Sequence, residues 1–199
     1  MAERLYEGQT FEGLRLEDEY LDHLRFVDCH FINCTFEGGV LTDCAFAACT
    51  WTGCKVINVT SRRTQIRSLS FEQCDLVGLT AADWLPASRF MAPLEHLTNC
   101  RLKYVTFQQM ALAGFDFGGN EVVDGLFSGW DLSGVGFHAC NLLRTEFADC
   151  NLTKADFRGA TGWQVDLPTC RMRGARFSFP EAVRLLASAG VQGEYEEMD

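Results

Sequence analysis

A large apolar residue recurs at every fifth position through most of this chain. Stepping by five from Tyr6 reaches Phe11, Leu16, Leu21, Phe26, Phe31, Phe36, Leu41, Phe46, Trp51, Val56, Ser61, Ile66, Phe71, Leu76 and Ala81. A second series starts at Leu97 and runs through Leu102, Phe107, Leu112, Phe117, Val122, Phe127, Leu132, Phe137, Leu142, Phe147, Leu152 and Phe157. After Gly162 it resumes with Leu167, Met172 and Phe177. Only Ser61, Ala81 and Gly162 break the pattern. A period of five fits neither the helical period of about 3.6 nor the strand period of about 2.

The flanking positions repeat too. Two residues before each centre stand small or medium apolar groups such as Leu24, Val59, Leu69, Ala155 and Val165. All 10 cysteines fall at that position, from Cys29 and Cys34 to Cys150 and Cys170. Two residues after each centre, Gly, Asn and Asp predominate, residues that tolerate tight turns and left-handed backbone. Each unit therefore reads as small inward, polar, large inward, polar, turn. One unit cannot bury its two inward groups alone, but stacked units can. If four units close one square turn, Phe11, Phe31, Trp51 and Phe71 stack along one edge, and backbone groups bond between turns.

Cys150-Asn151-Leu152 and Ala155-Asp156-Phe157 match the A-(D/N)-L-x-x unit. The chain closely resembles the pentapeptide-repeat family over roughly residues 4–178. The resemblance implies an all-β solenoid: a right-handed quadrilateral β-helix of about eight coils in two blocks. At an inter-strand spacing of about 4.8 Å this is a rod of roughly 40 Å. One repeat domain is expected over 1–199, with coils at about 4–82 and 97–178.

The two blocks differ in phase by one residue, and the stretch between them, about 83–96, is expected to leave the rod as a loop. It contains Trp84, Leu85, Pro86, Arg89, Phe90 and Met91. Either it is a tolerated insertion packing its own rings on the coil edge, or it is a partner-binding loop. The tail also breaks the period. Ser178-Phe179-Pro180-Glu181 reads as a capping box, and Ala182, Leu185, Leu186 and Ala189 recur at helical spacing. A short helix over about 179–190 would cap the last coil. Its apolar face could instead meet a second copy, with Phe177, Phe179, Val183 and Leu186 at the dimer interface.

Chemistry-bearing motifs are missing. The cysteines share one inward position, with no C-x-x-C, and stacked pairs such as Cys29 and Cys49 point the same way. They read as core groups, not as a disulfide or metal framework. His23, His30, His96 and His138 fall outside the inward positions and lack ligand spacing. No nucleophile elbow, phosphate loop or dinucleotide fingerprint occurs. Neither an enzyme, a cofactor nor a metal site is expected. No apolar run approaches the roughly 18 residues of a spanning helix. Residues 1–10 lack the apolar core of a secretory signal, so a cytoplasmic location is expected.

The net charge of −10 argues against a basic nucleic-acid binder. It is uneven: residues 1–53 are net −7, residues 54–67 net +4 and residues 141–178 net +2. In the second block, Asp116, Glu121, Asp131, Glu146, Asp156 and Asp166 each precede a centre. They make either a solubilising surface or a regular negative array of the kind duplex DNA presents. Such an array would be attracted to a positively charged DNA-binding saddle.

Within the family, the chain looks most like the topoisomerase-protecting branch, the Qnr group and the immunity proteins against albicidin and microcin. The segments Ala81-Ala82-Asp83-Trp84 and Arg173 to Leu186, with the Cys-rich first half, carry that likeness. It implies a homodimeric DNA mimic that binds bacterial DNA gyrase, with topoisomerase IV as a second candidate, and shields it from a poison. The basic stretches Lys55 to Arg67 and Arg171 to Arg176 interrupt such a mimic, unless they pair with acids on neighbouring coils. A regulatory or scaffolding solenoid that binds another protein stays open beside this reading, because one fold serves many roles.

Overall fold

A computed structural model describes residues 4–79, 84–86, 92–108 and 112–191. The five-residue unit makes one side of a coil, and four units close it. Phe31 pairs with Phe11 below and Trp51 above, Val56 pairs with Phe36 and Leu76, and Leu41 pairs with Leu21 and Ser61. Among the described residues every pairing between strands is parallel, and apart from two register shifts each side chain stands on the equivalent one of the coil below. The result is an all-β solenoid of about eight coils with one small helix at its C-terminal end.

The turns explain the polar fifth position. From Gly8 to Gly78 every fifth residue has a positive φ. Gly, Asn and Asp hold most of these places, as expected for left-handed backbone. Ala48, Arg63 and Gln73 also adopt it, at φ 52°, 52° and 53°. The hydrogen bonds between coils hold these residues in that conformation: the Ala48 N–H donates to the Arg67 carbonyl at 2.9 Å and the Gln73 N–H to that of Thr98 at 2.9 Å.

The core is a set of aromatic ladders. Phe117, Phe137, Phe157 and Phe177 stack in one column at 5.0 to 5.2 Å between ring centres. Phe11, Phe31, Trp51 and Phe71 stack in the column that the period predicts. The ten cysteines stand at the inward small position, nine of them buried. Thiols there donate to carbonyls one coil down, as Cys49 does to the Phe26 carbonyl at 3.5 Å. Asn120 and Thr145 take the same position in the second block. The Asn120 amide accepts from the Cys100 N–H at 2.7 Å and donates to the Leu97 carbonyl at 2.9 Å.

Three places depart from the expected spacing. First, Trp84–Pro86 is a strand in register with Thr64–Ile66, and Leu94–Thr98 is a strand on Leu69–Glu72 with a bulge between Leu69 and Ser70. Trp84–Pro86 and Leu94–His96, inside the expected 83–96 loop, thus belong to the coil, and the pairing offset rises from 20 residues at Ile66–Pro86 to 25 at Leu69–Leu94 and 26 after the bulge. Second, the stretch after Gly162 closes early. Asn141 pairs with Thr161, but Thr145 pairs with Trp163 and Phe147 with Val165. Trp163 and Val165 are buried, at 1% and 3% exposure, whereas Leu167, the expected centre, lies in the following turn and is half-buried. The Trp163 indole packs against Phe157 and Phe177, with ring centres 5.8 and 5.1 Å away. Third, the capping box does not form. The Ser178 hydroxyl accepts from the Gly159 N–H at 3.1 Å, and the Glu181 carboxylate pairs with Arg184 at 2.8 Å. The helix is a 3-10 turn at Glu181–Val183 followed by α1 at Arg184–Ser188, shorter than the expected 179–190.

Candidate interaction surfaces

Charge on this rod is arranged in columns, because outward residues repeat every coil. On the third side of the square the column runs Lys55, Asp75, Arg101, Glu121, Asn141. Arg101 donates from Nε to Asp75 Oδ1 at 2.9 Å. Arg63 donates from Nε to Asp43 Oδ1 at 2.6 Å, and Arg144 from Nη2 to Asp124 Oδ2 at 3.0 Å. Arg158 and Arg176 both approach Asp156, at 2.6 and 3.7 Å. Hydrogen bonds from Arg158 hold the Asp156 carboxyl down to about 2, and Arg144 likewise lowers that of Asp124. Members of both basic stretches therefore face acids on neighbouring coils, Arg63 in the first and Arg176 in the second.

The six acids of the second block do not line one face. Asp116 and Asp156 share a column with Gly136 between them. Asp131 stands in another column, below Asn151 and Arg171. Glu121 is on the third side and Glu146 on the fourth. Asp166 sits in the turn after Val165, where its carboxylate accepts from the Thr169 hydroxyl at 2.8 Å. Asp116, Asp131, Glu146 and Asp166 are exposed, and Glu121 and Asp156 are half-buried.

The denser acidic surface lies at the other end. Glu7, Glu12, Glu17 and Asp22 occupy the same position on each of the four sides of the first coil, and Glu37 stands directly above Glu17. Glu7, Glu12, Glu17 and Glu37 are exposed and form no ion pair among the described residues. The excess charge of residues 1–53 was the signal for this ring. Glu7, Glu12 and Glu17 also follow the five-residue spacing, one place after each centre.

The four residues expected at a dimer interface divide into two groups. Phe177 is half-buried: it stacks on Phe157 at 5.1 Å and meets Trp163 at 5.1 Å, so it closes the core. Phe179, Val183 and Leu186 are exposed by 85%, 39% and 51%, while Leu185 packs inward. Beside them α1 and the last coil enclose an open groove of about 490 Å³, lined by Glu146, Trp163, Val165, Asp166, Arg184 and Ser188 among others. Of the expected partner loop, Trp84, Leu85 and Pro86 are described as backbone strand, while Arg89, Phe90 and Met91 lie outside the described residues.

One constellation escaped sequence spacing. Asp22, His23 and Asp43 bring three donor atoms within 4.8 Å of one another on the fourth side. They come from turns one coil apart, so only an offset of 20 residues reveals them. No helix among the described residues is long and apolar enough to cross a membrane.

No curated protein matches the sequence. Among solved structures, full-length QnrB1, a plasmid-mediated fluoroquinolone resistance protein, is 15% identical, with a TM-score of 0.36 over 94% of this chain and 100% of that one. A trypsin-treated QnrB1 variant is 17% identical, with a TM-score of 0.40 over 98% and 100%. HetL, a pentapeptide repeat protein involved in heterocyst differentiation regulation from the cyanobacterium Nostoc sp. strain PCC 7120, is 13% identical, with a TM-score of 0.46 over 87% of each chain. The model of the pentapeptide repeats matches in 8 copies, at residues 131–161. That segment supplies Leu132, Phe137, Leu142, Phe147, Leu152 and Phe157, the consecutive centres that fill the second half of the core. Residues 131–161 thus carry pentapeptide repeats, and five-residue sides continue the same period along the rod on either side of that segment.

Proposed function

We propose that this chain is a DNA-mimicking protein that protects bacterial DNA gyrase from a topoisomerase poison, with topoisomerase IV as a second target. The observation that carries the reading is the acidic ring at the N-terminal coils, Glu7, Glu12 and Glu17 with Glu37 above, which has no ion pair among the described residues. Duplex DNA also presents fixed negative charge around a rod. A cationic DNA-binding channel would attract this end over a range set by ionic strength. In this reading Phe179, Val183 and Leu186 join two copies, and Arg89, Phe90 and Met91 make specific contacts. No bond is made or broken: the protein acts by occupying or reshaping the DNA-binding surface.

A regulatory or scaffolding solenoid is the second reading. The ion-paired columns of the second half favour it, because charges matched within the rod are poor bait for a cationic partner.

A gyrase supercoiling assay with quinolone- and albicidin-type poisons separates them. Wild type is expected to restore supercoiling. The triple change Glu7→Gln, Glu12→Gln, Glu17→Gln should require at least tenfold more protein, and Arg89→Ala with Phe90→Ala should do the same. If wild type leaves gyrase and topoisomerase IV unaffected at every concentration, the protection reading is wrong and the scaffold reading replaces it.

A further inference from the structure

We infer that the turn pair on the fourth side of the first two coils, Asp22-His23 with Thr42-Asp43, is a divalent metal site of the Zn²⁺ class. Asp22 and Thr42 are in register, and the His23 N–H donates to the Thr42 carbonyl at 3.1 Å, so the two turns are locked one above the other. The donor set is one imidazole and two carboxylates, which suits a borderline cation.

Several observations point to a cation there. His23 Nδ1 lies 2.7 Å from Asp22 Oδ1, yet both atoms are buried and neither has an aligned hydrogen-bond partner. Two ligand atoms each about 2.1 Å from one tetrahedral ion stand about 3.4 Å apart, so the pair is adjacent and needs only a small opening to share an ion. The Thr42 side chain, which adjoins both acids, is only 7% exposed, and its hydroxyl also lacks a partner. Buried polar atoms without aligned partners are costly, and one cation would satisfy the imidazole and the carboxylate together. Asp43 completes the set within 4.8 Å. Its oxygens accept from Arg63 at 2.6 and 2.5 Å, so an arriving ion competes with that guanidinium for one of them.

The position gives the ion a purpose. Tyr6, Phe11, Leu16 and Leu21 of the first coil are only half-buried. A metal bridging Asp22-His23 to Asp43 would tie that coil to the next, as the 3-10 turn and α1 tie down the other end. This inference does not depend on the gyrase reading.

Equilibrium dialysis of the full chain against ZnCl₂ tests it. One Zn²⁺ per chain is expected. His23→Asn keeps a residue suited to φ 55° and should weaken binding at least tenfold. Asp22→Asn should do likewise, and it answers the question alone if the first variant fails to fold. Cys170→Ser, which removes the one half-exposed thiol, should leave binding unchanged. Hydrogen exchange at residues 20–24 should slow at least tenfold when zinc is added. Absence of stoichiometric zinc, or full binding by folded His23→Asn or Asp22→Asn, overturns the site. Loss of binding in Cys170→Ser overturns it as well.

Discussion

Phe127 and Phe147 lie face to face with ring centres 4.9 Å apart and planes 3° from parallel. They are one coil apart, so the distance between their rings is essentially the distance between backbones. The same holds along Phe117, Phe137, Phe157 and Phe177, where ring stacking and the hydrogen bonds between coils share one spacing, while Trp51 sits unevenly at 4.1 Å from Phe31 and 5.8 Å from Phe71. Neither has to yield for the other.

The interior of a ladder should therefore be far more sensitive than its end. Phe137 is fully buried between Phe117 and Phe157. Phe137→Ala is expected to cost about 3–5 kcal/mol, the range for a large core truncation. Phe11→Ala, in the half-buried first coil, should cost roughly half of that. Urea unfolding of the two variants checks the ranking, and equal losses would contradict it.

Two glycines with nearly the same backbone should respond differently to a methyl group. Gly162 has φ +76°, and an added Cβ would fall 2.7 Å from the Leu143 Cα. Gly129 has φ +77° with open space around that position. Gly129→Ala should cost about 1 kcal/mol, the ordinary penalty of left-handed backbone. Gly162→Ala should cost about 3 kcal/mol or more, since it adds a clash with backbone that cannot swing away. Thermal melts distinguish them, and similar shifts would refute the steric account.

Acid should weaken the second half of the rod in a defined window. Asp156 titrates near 2 in the fold, against an ordinary 3.8, because Arg158 donates to its carboxylate. A group with a depressed folded value lends stability above its unfolded value, and that contribution is lost as pH falls through the folded one. The melting temperature of wild type should fall between about pH 4 and pH 2. Asp156→Asn should show a smaller fall across that window, with a lower starting value at neutral pH. An identical pH profile for the two proteins would rule this out.

Thiol labelling should follow burial. Desolvation pushes Cys49 and Cys150 up to about 11 and Cys140 up to about 12. The thiolate is the reacting form, so these three should resist iodoacetamide at neutral pH. Cys170 is the half-exposed thiol and should be alkylated first. Peptide mapping after a short exposure reads the order, and early modification of Cys140 would contradict the inward placement.

The ladders were legible because each centre declares its own place: Phe11, Phe31, Trp51 and Phe71 needed only a count of five. What escaped were features that depend on the next coil. Val165 takes the place above Phe147 instead of Leu167 because the register shifts between Asn141 and Thr145, and no local pattern announces that exchange. Ser178 has the spacing of a capping residue but meets Gly159, one coil down, before it can fold back on its own turn. Pro86 looked like part of a loop, yet Trp84–Pro86 continues the strand column above Thr64–Ile66. Charge pairing was hidden for the same reason: Asp43 and Arg63, or Asp124 and Arg144, are neighbours only when the sequence is wrapped at 20 residues. The acidic ring was visible as a sum over residues 1–53, but its distribution around four sides follows from the wrap.

That wrap also makes the molecule a measuring rod. Each coil rests only on its neighbours, in register and with a shared turn conformation, so duplicating any regular 20-residue stretch would lengthen the rod by one step of about 4.8 Å. Surface features on either side of the duplication would keep their bearing around the axis and change only their separation along it. Distance between the acidic end and the helical end is thus a quantity that chain length can tune in fixed increments, independently of what either end recognises.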